Sequence, residues 1–175
     1  MAAEAAPGAA LPVLLGRLAH AVAARDAQGF AALFTPDGRY HDGFFGLHEG
    51  RDAIAAMLDR FHVGGETFFW QFHDVVVNGD LGYARYVFSY RSCGPGSSGE
   101  LVVFEGIAQL RLRDGLIAEY DEVFDRGVAF TQLGYEPARI GKLLERYARA
   151  FASSPAAQAH LAARAERKGS LPDRE

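Results

Sequence analysis

Tyr40 and Asp42 stand two residues apart in the run FTPDGRYHDGFFG. On a strand, residues two apart share a face, so a phenol and a carboxylate point the same way, with Phe44 following them. Two more chemically competent side chains lie in alternating stretches downstream: Arg85 in Tyr83–Arg91 and Glu122 in Leu116–Phe124. Desolvation raises the pKa of a carboxylate in apolar surroundings, which suits it to general acid or base work near neutrality. A nearby guanidinium opposes that shift, and it can stabilise charge developing on a phenolate, enolate or carboxylate. Each residue also has a structural reading. Asp42 would cap the loop that follows it. Arg85 and Glu122 would form a buried pair, because an unpaired buried charge is costly. In that pair Glu122 orients Arg85 rather than acting as a catalyst. Tyr40 would be one more core tyrosine.

The elements that must position these groups follow from periodicity. Leu11, Leu14, Leu15, Leu18 and Val22 have helical spacing, and Asp26 is placed to cap a second short helix ending near Phe34. Arg39–Phe44 reads as a strand, Gly43–Gly50 as a loop, and Asp52–Phe61 as a helix with Ile54, Met57, Leu58 and Phe61 on one side. Thr67–Val77 is rich in aromatic and β-branched residues, as strands are. Asn78-Gly79 marks a hairpin, and Tyr83–Arg91 is the return strand. Glu100–Leu112 and Leu116–Phe124 form a further hairpin around Asp114-Gly115, and CGPGSSG is a flexible turn before them. Pro137–Phe151 and Pro155–Lys168 are the last two helices. The expected layout is a loose tail over 1–10, one domain over 11–126, a helical extension over 127–168 and a disordered tail over 169–175.

Alternation then selects an interior. The predicted inward sets are Tyr40, Asp42 and Phe44; Phe68, Trp70 and Phe72; Tyr83, Arg85, Val87 and Ser89; Phe104, Gly106, Ala108 and Leu110; and Tyr120, Glu122 and Phe124. A slip of one residue would invert any of these sets. The surface is largely aromatic, with Gly106 and Ala108 leaving space, and it suits a flat hydrophobic ligand better than a sugar or nucleotide. Tyr86, Phe88, Tyr90, Ile107 and Val123 fall outside, apolar enough to pair copies of the chain as a dimer or trimer. Glu119, Asp121 and Asp125 also face outward. His41 and His73 read as outward, although a slip would bring His73 in as a base. His20, His48, His62 and His160 lack ligand spacing, so no metal is expected.

Composition excludes several classes. A formal charge of −4 without a basic stripe argues against nucleic acid. The single cysteine, Cys93, allows no internal disulfide and no cysteine-based metal site. The start of the chain lacks a signal-peptide pattern and no run is long enough to span a membrane, which makes a cytoplasmic protein the expectation.

The order of elements, with FTPDGRYHDG and GRDAI early and LRDGLIAEYDEVFD late, resembles the nuclear transport factor 2-like superfamily. That group includes ketosteroid isomerase, scytalone dehydratase, limonene epoxide hydrolase and the SnoaL-like polyketide cyclases. The resemblance spans about residues 11–126. It implies an α+β fold: a conical barrel of one strongly curved antiparallel sheet, closed by N-terminal helices, with extra C-terminal helices. It also implies that Asp42 matches the isomerase base, while the isomerase's oxyanion donors fall on Leu18 and Ala108. Ala108 likewise takes the place of the cyclases' catalytic aspartate. Against limonene epoxide hydrolase, Tyr40, Asp42, Arg85 and Glu122 match polar positions, but the water-activating aspartate falls on Val87. The run YHDGFFG…GRDAI…FHDVVVNGDLGYARYVFSY is similar to cofactor-independent lyases of this superfamily that remove formaldehyde from lignin-derived diarylpropanes.

The resulting expectation is a cofactor-independent acid–base enzyme acting on a hydrophobic aromatic small molecule. A lyase leads, because the isomerase donors are absent and the hydrolase base is replaced. Tyr40, Asp42, Arg85 and Glu122 are the expected catalytic residues. Phe44, Phe68, Trp70, Phe72, Tyr83, Ala108, Tyr120 and Phe124 are the expected substrate contacts. The rivals are a non-catalytic ligand carrier of the same fold and an isomerase or epoxide-hydrolase-like enzyme.

Overall fold

The computed structural model describes residues 7–94, 97 and 99–169, with 7–10 and 168–169 described through the backbone alone. The expected tails at 1–6 and 170–175, and part of the CGPGSSG turn, lie outside the described residues. Two compact units divide the chain, Met1–Gly134 and Tyr135–Glu175. In order, the first unit holds α1 (Pro7–Ala24), α2 (Ala27–Ala32), β1 (Phe34–Asp42), β2 (Gly46–Glu49), α3 (Arg51–Gly64), β3 (Gly65–Asn78), β4 (Leu81–Ser92), β5 (Leu101–Arg113), β6 (Leu116–Phe124) and α4 (Arg126–Gln132). The fold is α+β, and its sheet has the order β2-β1-β6-β5-β4-β3.

The helices form where their apolar spacing requires burial. Leu11, Leu15, Leu18 and Val22 of α1 are buried, and α1 packs on β3. Asp26 caps α2 as expected, its Oδ1 accepting from Gly29 N at 2.8 Å. From α3, Ile54, Met57 and Leu58 enter the same core. Arg51 at the start of α3 donates twice to the Phe34 carbonyl, from Nε at 2.9 Å and Nη2 at 2.7 Å, fixing α3 to β1.

The sheet is mixed rather than wholly antiparallel. β1 runs parallel to β6, with Tyr40 beside Tyr120 and His41 beside Asp121, while β3 through β6 form the expected antiparallel meander. The β5–β6 turn, Asp114-Gly115, has positive φ at both residues (53° and 76°), as a two-residue hairpin loop of the mirror-image type requires. The segment read as the loop Gly43–Gly50 contains β2, which pairs antiparallel with β1 through Tyr40–His48 and Asp42–Gly46. It is too short for alternation to distinguish it from a loop.

β4 is inverted from its expected register. Ala84, Tyr86 and Phe88 are buried, whereas Tyr83, Arg85 and Val87 are exposed. Directly opposed residues of neighbouring strands share a face, and β5 places Ala108 opposite Ala84, Gly106 opposite Tyr86 and Phe104 opposite Phe88. The set rich in rings goes inward; the set carrying Arg85 and Ser89 does not, because burying a guanidinium costs more than burying a phenol. Tyr86, Phe88 and Tyr90 therefore leave the apolar outer face expected for pairing of copies, Tyr90 stacking on Phe68 at 5.6 Å. Ile107 and Val123 remain on it, 49% and 76% exposed.

β3 carries two register shifts, with positive φ at Thr67 (52°) and Asp74 (51°). Phe68 and Trp70 are buried and Phe72 packs against them, and past the second shift Val75 and Val77 take the inner side. Beyond the end of β6, the side chain of Gln132 in α4 bonds both backbone groups of Val103, from N at 2.8 Å and to O at 2.7 Å. An amide side chain thus completes the pairing of β5 where no strand reaches it.

The second unit contains α5 (Pro137–Ala152) and α6 (Pro155–Gly169), matching the helices expected from sequence. In α5, Ile140, Leu143, Leu144, Tyr147 and Phe151 recur at helical spacing along one side.

Candidate active site

The parallel pairing of β1 with β6 creates the site. Tyr40 and Tyr120 are in register and their rings stack, with centroids 4.7 Å apart and planes within 4°. One step of two residues along each strand brings Asp42 alongside Glu122. Asp42 is buried and Glu122 partly so, and the two carboxyls are within hydrogen-bonding reach of each other.

Their surroundings differ. Asp42 Oδ1 accepts from Phe44 N at 2.6 Å and Phe45 N at 2.7 Å, so the loop-capping role is present. Glu122 Oε1 accepts from Gly43 N at 3.2 Å, and Oε2 accepts from the Tyr86 phenol at 3.0 Å and the Tyr120 phenol at 3.3 Å. Desolvation raises Asp42 above the usual range, and the bonds from Phe45 and Phe44 pull it back. Glu122 is pushed up to about 8, first by desolvation and then by the charge on Asp42. At neutral pH the pair therefore holds one proton, carried by Glu122, while Asp42 is ionised. Two carboxylates this close cannot both ionise without mutual repulsion. The three phenols stay protonated: burial raises Tyr40, Tyr86 and Tyr120, and the charge of Glu122 raises them further.

The loop after Asp42 is fastened from several sides. Arg126 donates to the Gly43 carbonyl, and Phe44 packs on Phe124 (4.8 Å) and Phe130 (5.5 Å). Across the interior, Trp70 packs edge-on against Tyr86 at 5.6 Å and Tyr120 at 6.2 Å, while Phe68 stacks on Phe88 and Phe104 on Phe124. Ala108 lies opposite Glu122 on β5 and leaves room for its carboxyl. The space above Gly106, expected to be open, is filled by Tyr86. A Cβ on Gly106 would lie 2.4 Å from the Tyr86 hydroxyl, so only glycine lets that phenol reach Glu122.

Tyr40, Asp42, Glu122, Phe44, Phe68, Trp70, Phe72, Ala108, Tyr120 and Phe124 thus share the inner face. Arg85 and Tyr83 do not. Arg85 Nη2 pairs with Glu105 at 2.9 Å on the outer face, and the Tyr83 hydroxyl donates to Gln109 at 3.0 Å. The expected Arg85–Glu122 pair is replaced by the two phenols on Glu122, a consequence of the register of β4. Val87 is likewise outside. His41 faces outward as expected and meets Asp121 at 3.0 Å. His73 is 40% exposed.

Sequence reasoning missed Tyr86 as an inner residue, and it missed His48. His48 is buried opposite Tyr40, with Arg60 Nη2 3.4 Å from its Nδ1. Desolvation and the Arg60 charge lower its pKa, so it sits neutral beside Asp42. The available signal was the DGFFGLHE run, a short hairpin. Among the described residues no cluster of three or more His, Cys, Asp or Glu is arranged to hold a metal. No described helix is long and apolar enough to cross a membrane.

Residues 15–120 match the SnoaL-like domain family, more than half of the chain. The chain belongs to that family. No curated protein matches the SnoaL-like chain in sequence. Solved structures agree on the fold. A protein of ketosteroid isomerase-like fold from Catenulispora acidiphila, in complex with trimethylamine, is 20% identical, covering 71% of this chain and 95% of that one, with a TM-score of 0.65. TsrD from Streptomyces laurentii is 25% identical over 75% and 98% of the two chains, also at 0.65. An LEH-like epoxide hydrolase of M. tuberculosis is 17% identical over 73% and 92%, at 0.61. The distant relatives thus include an enzyme, and others are polyketide-cyclase-like. These likenesses lend no support to the formaldehyde-lyase group in particular.

Proposed function

We propose that this SnoaL-like protein is an acid–base lyase for a hydrophobic aromatic small molecule, working through its own carboxyls. The Asp42–Glu122 pair carries the reading. Loop capping accounts for Asp42, and Glu122 holds Gly43 N and two phenols, but a neutral amide would accept those bonds without the cost of desolvating a second carboxyl beside the first. A pair holding one proton supplies a base and an acid at the same moment. In an elimination, Asp42 takes the proton from a C–H made acidic by a neighbouring carbonyl. Glu122 gives its proton to the leaving hydroxyl, the C–O bond breaks, C=C forms and water departs. Transfer of the new proton from Asp42 to Glu122 across their contact restores the starting state. In a C–C cleavage the same groups exchange targets: the base takes the hydroxyl proton, the C–C bond breaks and the acid protonates the enolate carbon. With Arg85 outside, the phenols of Tyr86 and Tyr120 are the hydrogen-bond donors that steady the charge on Glu122.

The test is turnover of 4-hydroxy-4-phenylbutan-2-one without added metal or nicotinamide. Benzylideneacetone reports elimination, and benzaldehyde with acetone reports C–C cleavage. Either product, lost in Glu122→Gln, supports the proposal. Tight binding with neither product would leave a ligand carrier and sink it.

A further inference from the structure

The interior holds one polar group that the carboxyl pair does not use. Trp70 is 7% exposed, and its Nε1–H has no acceptor among the described residues. Leaving a buried donor unpaired is costly, so native interiors seldom do it. Its neighbours are rings: Phe72 at 4.9 Å, Phe88 at 5.2 Å, Tyr86 at 5.6 Å and Tyr120 at 6.2 Å. The last two carry hydroxyls, and both hydroxyls are engaged with Glu122. The indole is thus held by packing against the same phenols that contact the acid, with its donor unspent. We propose that Trp70 Nε1–H binds an acceptor oxygen of the substrate, which makes the ligand class aromatic carbonyl compounds. This rests on the acid–base reading for its chemical purpose, since a donor on the carbonyl oxygen acidifies the adjacent C–H that Asp42 would attack. It also supplies the charge-stabilising role that the sequence suggests for Arg85.

Trp70 is the single tryptophan of the chain, so the ¹⁵N-labelled protein gives one indole N–H signal. The experiment titrates the full chain with 2-acetylnaphthalene and with 2-isopropylnaphthalene, which has the same shape but no acceptor. The ketone is expected to move the indole proton downfield and to bind about tenfold more tightly, a difference of about 1.4 kcal/mol. In Trp70→Phe, which keeps a ring at the site, that preference is expected to collapse to about twofold or less. Equal affinities, a stationary indole signal, no binding of either compound, or a preference that survives in Trp70→Phe would each overturn the assignment. Neither probe can eliminate water, so the outcome is independent of whether the protein turns over the hydroxyketone. The wild-type titration decides the matter even if the variant fails to fold.

Discussion

Asp121 and Glu122 are neighbours on β6, yet they face different worlds. Asp121 meets His41 on the outer face, both half exposed, in a surface network where Arg39 also reaches Glu49 and Glu119. Arg39, His41, Leu47, Glu119 and Asp121 line a shallow depression of about 170 Å³ there. One residue on, Glu122 meets Asp42 in an aromatic interior and is pushed up to about 8. The same parallel register built both pairs. The outer one is solvated and contributes about 0–1 kcal/mol. The inner one is desolvated and keeps a proton instead. Chemical potential in this sheet is set by which side of the strand a carboxyl faces, not by residue type.

The sharpest way to break that contrast is to neutralise each side separately. Asp42→Asn or Glu122→Gln is expected to cost about 10²–10⁴-fold in turnover of the hydroxyketone, whereas Asp121→Asn should leave the rate within about twofold. Comparable losses on the two sides would erase the distinction. The second test is stability against pH. Below the ordinary carboxyl value of 4.5, Glu122 is protonated whether folded or unfolded. Between 4.5 and about 8 the unfolded chain releases that proton while the folded one retains it. Stability should therefore fall as pH rises through this window and level off above about 8, by up to a few kcal/mol. Asp42, also raised, acts with the same sign. Thermal unfolding from pH 4 to 9 checks this, and in Glu122→Gln the decline should be much shallower; a rise with pH in the wild type would contradict it. Next, Gly106→Ala is expected to cost about 1–3 kcal/mol by displacing the Tyr86 phenol from Glu122, measured by urea unfolding, with some turnover lost too. The smallest effect belongs to the outer face. Arg85→Ala should change stability by less than about 1 kcal/mol and leave turnover unaffected, where a catalytic arginine would abolish it.

The fold was readable because burial writes itself into local pattern. The helices α1, α3, α5 and α6, the meander β3–β6 and its two tight turns all follow from spacing and turn chemistry. Within the site, Tyr40, Asp42, Tyr120 and Glu122 were readable as inward residues. On β4 alternation leaves two sets to choose between, and the more apolar one, Ala84, Tyr86 and Phe88, goes inward while Arg85 stays outside. β2 escaped because four residues are too few for a period to show.

By itself the sequence determined which side chains each strand offers to a face, since alternation is a property of the local backbone. It also determined that the interior would be aromatic. Only the tertiary structure decided that β1 lies parallel to β6, joining residues some 80 positions apart. A pairing between distant strands leaves no periodic mark on either, and the partner of Glu122 depended on it. The expected arginine became an aspartate and two phenols, and what reads in sequence as a salt bridge folds into a carboxyl pair that holds one proton.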